Sequence, residues 1–178
     1  MTISTRNHWI FALALVLLIL ARQAWCASDS TSQFATDASD SIVPFLVVGE
    51  LSLLADGKAA KPEMIQGAKA LVATGLATEI LKHVVGERRP NSDSDTSFPS
   101  GHTSAAFAMA TVISDYHPKY AIPAFAMAST IGWSRVEVGA HYWRDVVAGA
   151  ALGYFTAKHF TGNHLAVGLN GVSYNWKW

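Results

Sequence analysis

Three short stretches of this 178-residue chain gather side chains that can hold and attack a phosphate-sized anion. In the first, Lys82 and Arg89 stand seven residues apart, two helical turns, so both cations can project from one face of a helix that Pro90 would end. A solvated basic helix end would carry the same residues. The second stretch, Pro99-Ser100-Gly101-His102, stands immediately before an alanine-rich block. Free N–H groups at a helix start bind anions, and glycine admits a close approach. Ser100 would serve equally as a simple N-cap. His102 beside a bound anion would be held protonated and able to donate to a leaving oxygen. The third stretch, Ser134 to Asp145, adds Arg135 and sets His141 four residues before Asp145. On a helix that carboxylate reaches the imidazole, fixes its tautomer and leaves the other nitrogen as base or nucleophile. An ordinary surface pair would have the same spacing.

The elements that must position these residues read as helices. Apolar blocks run over Ile42–Ala55, stopped by Asp56-Gly57, and from Lys61-Pro62-Glu63 to Gly86. Proline at a first helical position and glutamate in a first turn both suit a helix start. Further blocks run over Thr103–Ser114, Tyr120–Trp133 and Tyr142–Phe160, rich in Ala, Met and Leu. The small residues Ala105, Ala106, Ala108 and Ala110, and Ala148 to Ala151 with Gly153, permit close helix contact. Past residue 26 no apolar run reaches the length of a membrane span. At the end, Leu165, Val167 and Leu169 alternate with smaller residues, as Val172, Tyr174, Trp176 and Trp178 do after Asn170-Gly171, a hairpin signature. The fold class is therefore all-α: a compact bundle of five to six helices, ending in a short β-hairpin that covers an apolar flank or meets a membrane interface.

Residues 1–26 read as a targeting segment. Twelve consecutive apolar residues, Trp9 to Leu20, follow a polar head with Arg6, and Ala24 and Cys26 fit cleavage before Ala27. A secretory h-region has about 7–15 such residues and a spanning helix about 20, so a cleaved signal is expected over a retained anchor. Residues 27–41, rich in Ser, Thr, Asp and Ala, read as a flexible leader, and 42–178 as a single domain. The chain has 13 basic and 13 acidic residues, and removing Arg6 and Arg22 with the signal leaves 11 against 13. Such a balance gives no electrostatic footprint for nucleic acid. Cys26 is the single cysteine, which rules out a cysteine zinc site. Hydrophobic residues make up 51% of the chain and charged ones 15%, too apolar a mixture for a disordered protein.

Taken in order, Lys82-x6-Arg89-Pro90, Pro99-Ser100-Gly101-His102 and Ser134-Arg135-x5-His141-x3-Asp145 resemble the signature of the type 2 phosphatidic acid phosphatase superfamily, which also holds bacterial class A acid phosphatases and vanadium-dependent haloperoxidases. Every fixed position is present. The eight-residue link from Asn91 to Phe98 is compact, which argues against a large recognition insertion there. The resemblance implies an all-helical bundle and a metal-independent phosphatase acting on phosphomonoesters or on lipid phosphates or pyrophosphates. Lys82, Arg89 and Arg135 would hold the phosphate oxygens, completed by Ser100 and the Gly101 amide. His141 would form a phosphohistidine with Asp145 orienting it, and His102 would protonate the leaving alkoxide and then activate water. No cofactor or metal is implied. The alternatives are a haloperoxidase in which His141 ligates vanadium, and a non-catalytic envelope protein binding anionic lipid headgroups. An exported, periplasmic location with membrane-surface contact is expected, an integral membrane protein being the other reading. His83, Arg88 and Arg144 are expected beside the site or in solvent, and His117, His159 and His164 on the surface.

Overall fold

The computed structural model describes residues 31–54, 60–161, 165–168 and 171–174. Residues 1–26, expected as a targeting segment, and the residues Trp176 and Trp178 lie outside them. Among the described residues six helices follow in order: α1 (Thr31–Asp40), α2 (Ile42–Leu53), α3 (Ala60–Val85), α4 (Gly101–Tyr116), α5 (Ala121–Glu137) and α6 (Trp143–Thr161). One 3₁₀ turn, Pro118–Tyr120, joins α4 to α5. Pro44 and Pro123 sit in the first turns of α2 and α5, where the missing N–H has no partner to lose. Strands β1 (Leu165–Gly168) and β2 (Gly171–Tyr174) pair antiparallel. Their register sets Gly168 opposite Gly171, so Gly171 belongs to a strand and not to the turn expected at Asn170-Gly171.

The leader expected over 27–41 is corrected by α1, a helix from Thr31 to Asp40. Its buried positions are Ala35, Ala38 and Ser39, small residues spaced three and four apart, so the helix docks closely without the bulky apolar stripe that a sequence pattern looks for.

Helix α4 is the axis of the bundle, with α2, α3, α5 and α6 packed around it. Its buried residues, from Thr103 through Ala106, Met109 and Val112 to Ile113, face nearly all round, as expected for a central helix. The core joins them to Leu53, Ala70, Ala128 and Ile131. The closest approach is between α4 and α6. A Cβ added at Gly153 would lie 2.1 Å from the Ser104 carbonyl oxygen and 2.9 Å from the Ala108 nitrogen, and one at Gly149 2.6 Å from the Ser100 carbonyl oxygen. These are backbone atoms, so the two helices could not keep this separation with any side chain there.

His117 does not lie on the surface. It ends α4, donates its backbone N–H to Ile113 at 2.7 Å and buries its ring edge-on to Tyr120. His159 is exposed as expected, and His164 lies outside the described residues.

Gly153→Ala should destabilise the fold by about 1–3 kcal/mol through overpacking. Gly75 is an exposed mid-helix glycine with nothing within 4 Å of an added Cβ, and Gly75→Ala should stabilise by about 0.5–1 kcal/mol. Urea titrations of both variants check the pair, and a neutral Gly153→Ala would contradict the close α4–α6 contact.

Candidate active site

Two glycines with positive φ set where the functional residues leave their helices. Helix α3 stops at Gly86, φ 60°, whose N–H bonds back to the Lys82 carbonyl at 3.0 Å. Lys82 thus stays in the last turn while Arg89 lies beyond the helix. The expectation that both project from one helical face is corrected here: the left-handed glycine, and not Pro90, ends the helix. The chain then folds back, Arg89 N–H to Ser94 at 2.9 Å and Ser97 N–H to Glu87 at 2.8 Å, which returns Arg89 to the neighbourhood of Lys82. The second glycine, Gly139 with φ 69°, closes α5 in a Schellman motif: its N–H reaches Val136 and that of Ala140 reaches the Arg135 carbonyl. The same carbonyl also accepts from the His141 N–H at 3.1 Å. The Arg135 carbonyl therefore fixes the backbone of His141, while its side chain reaches Ser39.

His141 and Asp145 are not on one helix, since α6 begins at Trp143. Asp145 stands at the third position of α6 and its Oδ2 accepts the Tyr142 N–H at 2.9 Å, a capping-box contact. That oxygen also accepts from the Ser97 hydroxyl at 2.6 Å and lies 3.6 Å from His141 Nδ1. Both side chains are buried. Nδ1 thus faces the carboxylate, which leaves Nε2 as the nitrogen for chemistry. Ser97, fully buried, carries no motif signal and is missed by sequence reasoning; only its place in the loop before Ser100 connects it with the site.

Ser100 caps α4 by its position, yet its hydroxyl makes no capping bond. It accepts from the Thr103 hydroxyl at 2.9 Å, which leaves its own hydrogen to donate. Its N–H is bonded to the Asp145 carbonyl at 3.0 Å, which ties the start of α4 to the first turn of α6. At Gly101 an added Cβ would meet only Thr78 and Lys82 side chains at 3.7 and 3.9 Å, ordinary contact distances. Packing within the protein does not demand a glycine there.

The three cations converge. Lys82, buried, donates to the Thr96 carbonyl, and Arg135 donates to the Ser39 hydroxyl. Arg89 and Arg135 each carry a buried Nε–H with no acceptor in the protein. Burial first, and then the neighbouring Arg89, lower the affinity of both Lys82 and Arg135 for their protons. His102 is pushed down to about 4 by burial and then by Arg135, with Arg89 and Lys82 adding to it and Asp40 opposing. His141 is likewise pushed down to about 4, by burial, then Lys82, Arg135 and Arg89, against the opposing pull of Asp145. In the protein alone, burial and then the neighbouring cations favour the neutral ring of His102; the protonation expected beside a bound anion concerns the anion-bound state.

Arg88 and Arg144 are exposed and ion-paired, with Asp93 and Glu87 respectively, and Arg144 lies over the Tyr142 ring. His83 is exposed. An open cleft of about 500 Å³, lined by residues 88–93 and Tyr142, adjoins Arg89. Trp133 packs on Phe34, ring centroids 5.9 Å apart. Among the described residues no three His, Cys, Asp or Glu side chains converge as metal ligands would.

The model of the PAP2 superfamily matches residues 68–166, more than half the chain and all three motifs. The chain belongs to the PAP2 superfamily. A lipid A 1-phosphatase of Rhizobium etli is 35% identical over 98 residues, 47% of this chain and 42% of the relative, so the chain spans less than half that protein's length. Two solved structures share the fold. LpxE of Aquifex aeolicus has a TM-score of 0.58 at 24% identity, covering 79% of this chain and 91% of the other. The transmembrane PAP2-type phosphatidylglycerolphosphate phosphatase of Bacillus subtilis has a TM-score of 0.60 at 21% identity, covering 89% and 94%. The all-helical bundle that the sequence implied is thus the PAP2 fold.

Both site imidazoles bind protons near 6.5 when unfolded and near 4 in the fold. Between those values the unfolded chain holds more protons, so stability should fall as the pH drops from 6.5 towards 4. Denaturant midpoints at pH 7 and 5 should show this, with a shallower dependence in His141→Asn. A midpoint independent of pH would contradict neutral burial of these rings.

Proposed function

We propose that this chain is a metal-independent phosphatase of lipid phosphates, exported and working at a membrane surface through a phosphohistidine intermediate. The observation that carries the reading is the convergence of Lys82, Arg89 and Arg135, two of them with buried N–H groups lacking an acceptor, beside a histidine whose Nδ1 is held against a buried carboxylate. Unpaired buried donors are costly, and a phosphoryl group supplies the acceptors they lack.

The roles are those that the family resemblance implies. Lys82, Arg89, Arg135, the Ser100 hydroxyl and the Gly101 N–H would receive the phosphoryl oxygens and stabilise the charge that builds there. Nε2 of His141 attacks phosphorus; the P–N bond forms as the P–O ester bond breaks, and the leaving alkoxide takes a proton from His102. In the second step His102 removes a proton from water, whose oxygen attacks phosphorus and displaces His141, so phosphate departs. His102 must be protonated to begin. The dianionic substrate would favour that form, because its charge opposes the cations that, after burial, lower the proton affinity of the ring. Asp145 and Ser97 keep His141 in one tautomer throughout.

A lipid substrate is supported by the outer surface and by the relatives. Helix α3 exposes Ile65, Val72, Leu76, Ile80 and Val84 in one stripe, and α2 exposes Val43, Val47 and Leu51 in another, continued by Leu54 just past its end. Contiguous apolar surface of this kind marks contact with a partner or membrane. No helix among the described residues is long and apolar enough to cross a membrane, which fits contact with the surface. The relatives named for lipid A and for phosphatidylglycerolphosphate agree with a lipid-linked phosphate.

Phosphate release by the purified full chain in excess EDTA tests the reading, with p-nitrophenyl phosphate compared against phosphatidic acid and an isoprenyl pyrophosphate in micelles. Lipid turnover should exceed turnover of the small ester, and His141→Ala should lose at least about a thousandfold. Near-normal rates in that variant would remove the phosphohistidine, and loss of activity in EDTA would remove metal independence. Vanadate should inhibit; halide oxidation after vanadate loading would favour a haloperoxidase, and lipid binding without release a binding protein.

Gly101→Ala separates a ligand-facing glycine from a packing one. It should keep the thermal midpoint within about 1 °C, given the ordinary contacts its Cβ would make, and lose at least tenfold in kcat/KM. Unfolding with unchanged chemistry would return the glycine to a packing role.

A further inference from the structure

Helix α1 lies outside all three motifs and outside the matched residues 68–166, yet it reaches the site. It packs on α5, the helix that carries Arg135, with Ala35 and Ala38 buried and the Phe34 ring against Trp133. Ser39 is 3% exposed, and its Oγ accepts a hydrogen bond from Nη1 of Arg135. Asp40 follows, and its carboxylate favours the charged forms of Arg135 and His102.

We infer that Ser39 is a positioning residue of the phosphate site: through its hydroxyl, α1 decides which edge of the Arg135 guanidinium faces the phosphoryl group. This rests on the phosphatase reading above. A guanidinium is a rigid planar fork with five N–H donors, and it can present an end-on or a side-on pair of them to an oxyanion. Nη1 is engaged by Ser39, so the end-on pair is already divided. The side-on edge, Nε–H with Nη2, is left, and Nε–H is the buried donor without a protein acceptor. A group that fixes one corner of the fork reduces the freedom lost when the other edge binds. The Schellman closure of α5 holds the Arg135 backbone, and Ser39 holds the far end of the same side chain.

Equilibrium binding of inorganic phosphate to the full chain, by calorimetry, tests this in a double-mutant cycle of Ser39→Ala with Arg135→Ala, or with Arg135→Gln should the alanine variant not fold. Ser39→Ala should weaken phosphate binding about fivefold, the loss of one modest hydrogen bond. In the Arg135 variant the same change should cost less than a factor of two, because the group it acts through is gone. Phe34→Ala, which loosens α1 from α5, should weaken binding in the same direction. A loss carried over unchanged into the Arg135 variant would mean a general packing effect and would overturn the assignment. Tighter binding by Ser39→Ala would overturn it too, since the serine would then compete with phosphate. Should wild type bind phosphate and Ser39→Ala bind it equally well, the inference fails alone. Should wild type neither bind phosphate nor release it from any ester, the phosphatase reading fails with it.

Discussion

The buried carboxylate of Asp145 is the constraint on which the rest of the site depends. Its Oδ2 accepts from the Ser97 hydroxyl and the Tyr142 N–H and faces His141 Nδ1, while its backbone carbonyl accepts from Ser100. Burial costs a carboxylate its hydration, which these donors offset at Oδ2, while Oδ1 has no hydrogen-bond partner and only Arg144 Nε at 3.9 Å. One residue therefore starts α6, orients the histidine and anchors the start of α4. The close α4–α6 contact at Gly149 and Gly153 makes that anchoring possible, since a wider helix pair would carry Ser100 away from Asp145. Packing and chemistry share the same few atoms.

Charges are sorted by the kind of partner that holds them. Arg88, Arg144 and Lys158, outside the site, are paired with the carboxylates of Asp93, Glu87 and Asp115. Lys82 and Arg135, inside it, are held by neutral oxygens, the Thr96 carbonyl and the Ser39 hydroxyl. A neutral acceptor fixes the position of a cation without cancelling its charge. The cost appears as mutual strain: burial and neighbouring cations disfavour the charged forms of Lys82, Arg135, His102 and His141 together. An oxyanion would relieve all four at once. Such a coupling would favour an anion over a neutral ligand.

Much of this was legible in the sequence, for definite reasons. Proline and glycine punctuate the helical blocks, so α2 to α6 fall within a few residues of where the apolar runs place them. The motif residues Lys82, Arg89, Ser100, Gly101, His102, Arg135, His141 and Asp145 stand in or beside one cluster because the short link and the two helix starts leave little freedom. The sequence misled where the deciding fact was three-dimensional. Gly86 and Pro90 both signal a helix end, and only the left-handed φ at Gly86 shows which one acts. Helix α1 hides because its buried face is made of alanine and serine, so it lacks the run of bulky apolar residues that marks the other helical blocks. Ser97 and Ser39 hide for a related reason, since a serine acquires meaning only from the group that its hydroxyl meets. The lowered proton affinity of His102 follows from its burial and then from the field of three cations that are distant in sequence.

The distribution of apolar residues is the last element to be accounted for. The core around α4 is built largely from alanine and small polar residues, while Val, Ile and Leu line the outer faces of α2 and α3. Burying alanine returns little hydrophobic free energy per residue, and exposing valine and leucine gives up what they could contribute. In water alone that allocation is the reverse of what a bundle of this size needs. It becomes economical if the outer stripes meet an apolar phase. The stripe on α3 runs to Val84, two residues after Lys82 and immediately before the helix ends. The boundary between apolar surface and cation cluster therefore falls within about one helical turn. An amphiphile has the same boundary, between its chains and its phosphate. A free ester in solution would draw on the cations alone, whereas a lipid phosphate would draw on both sides of that boundary.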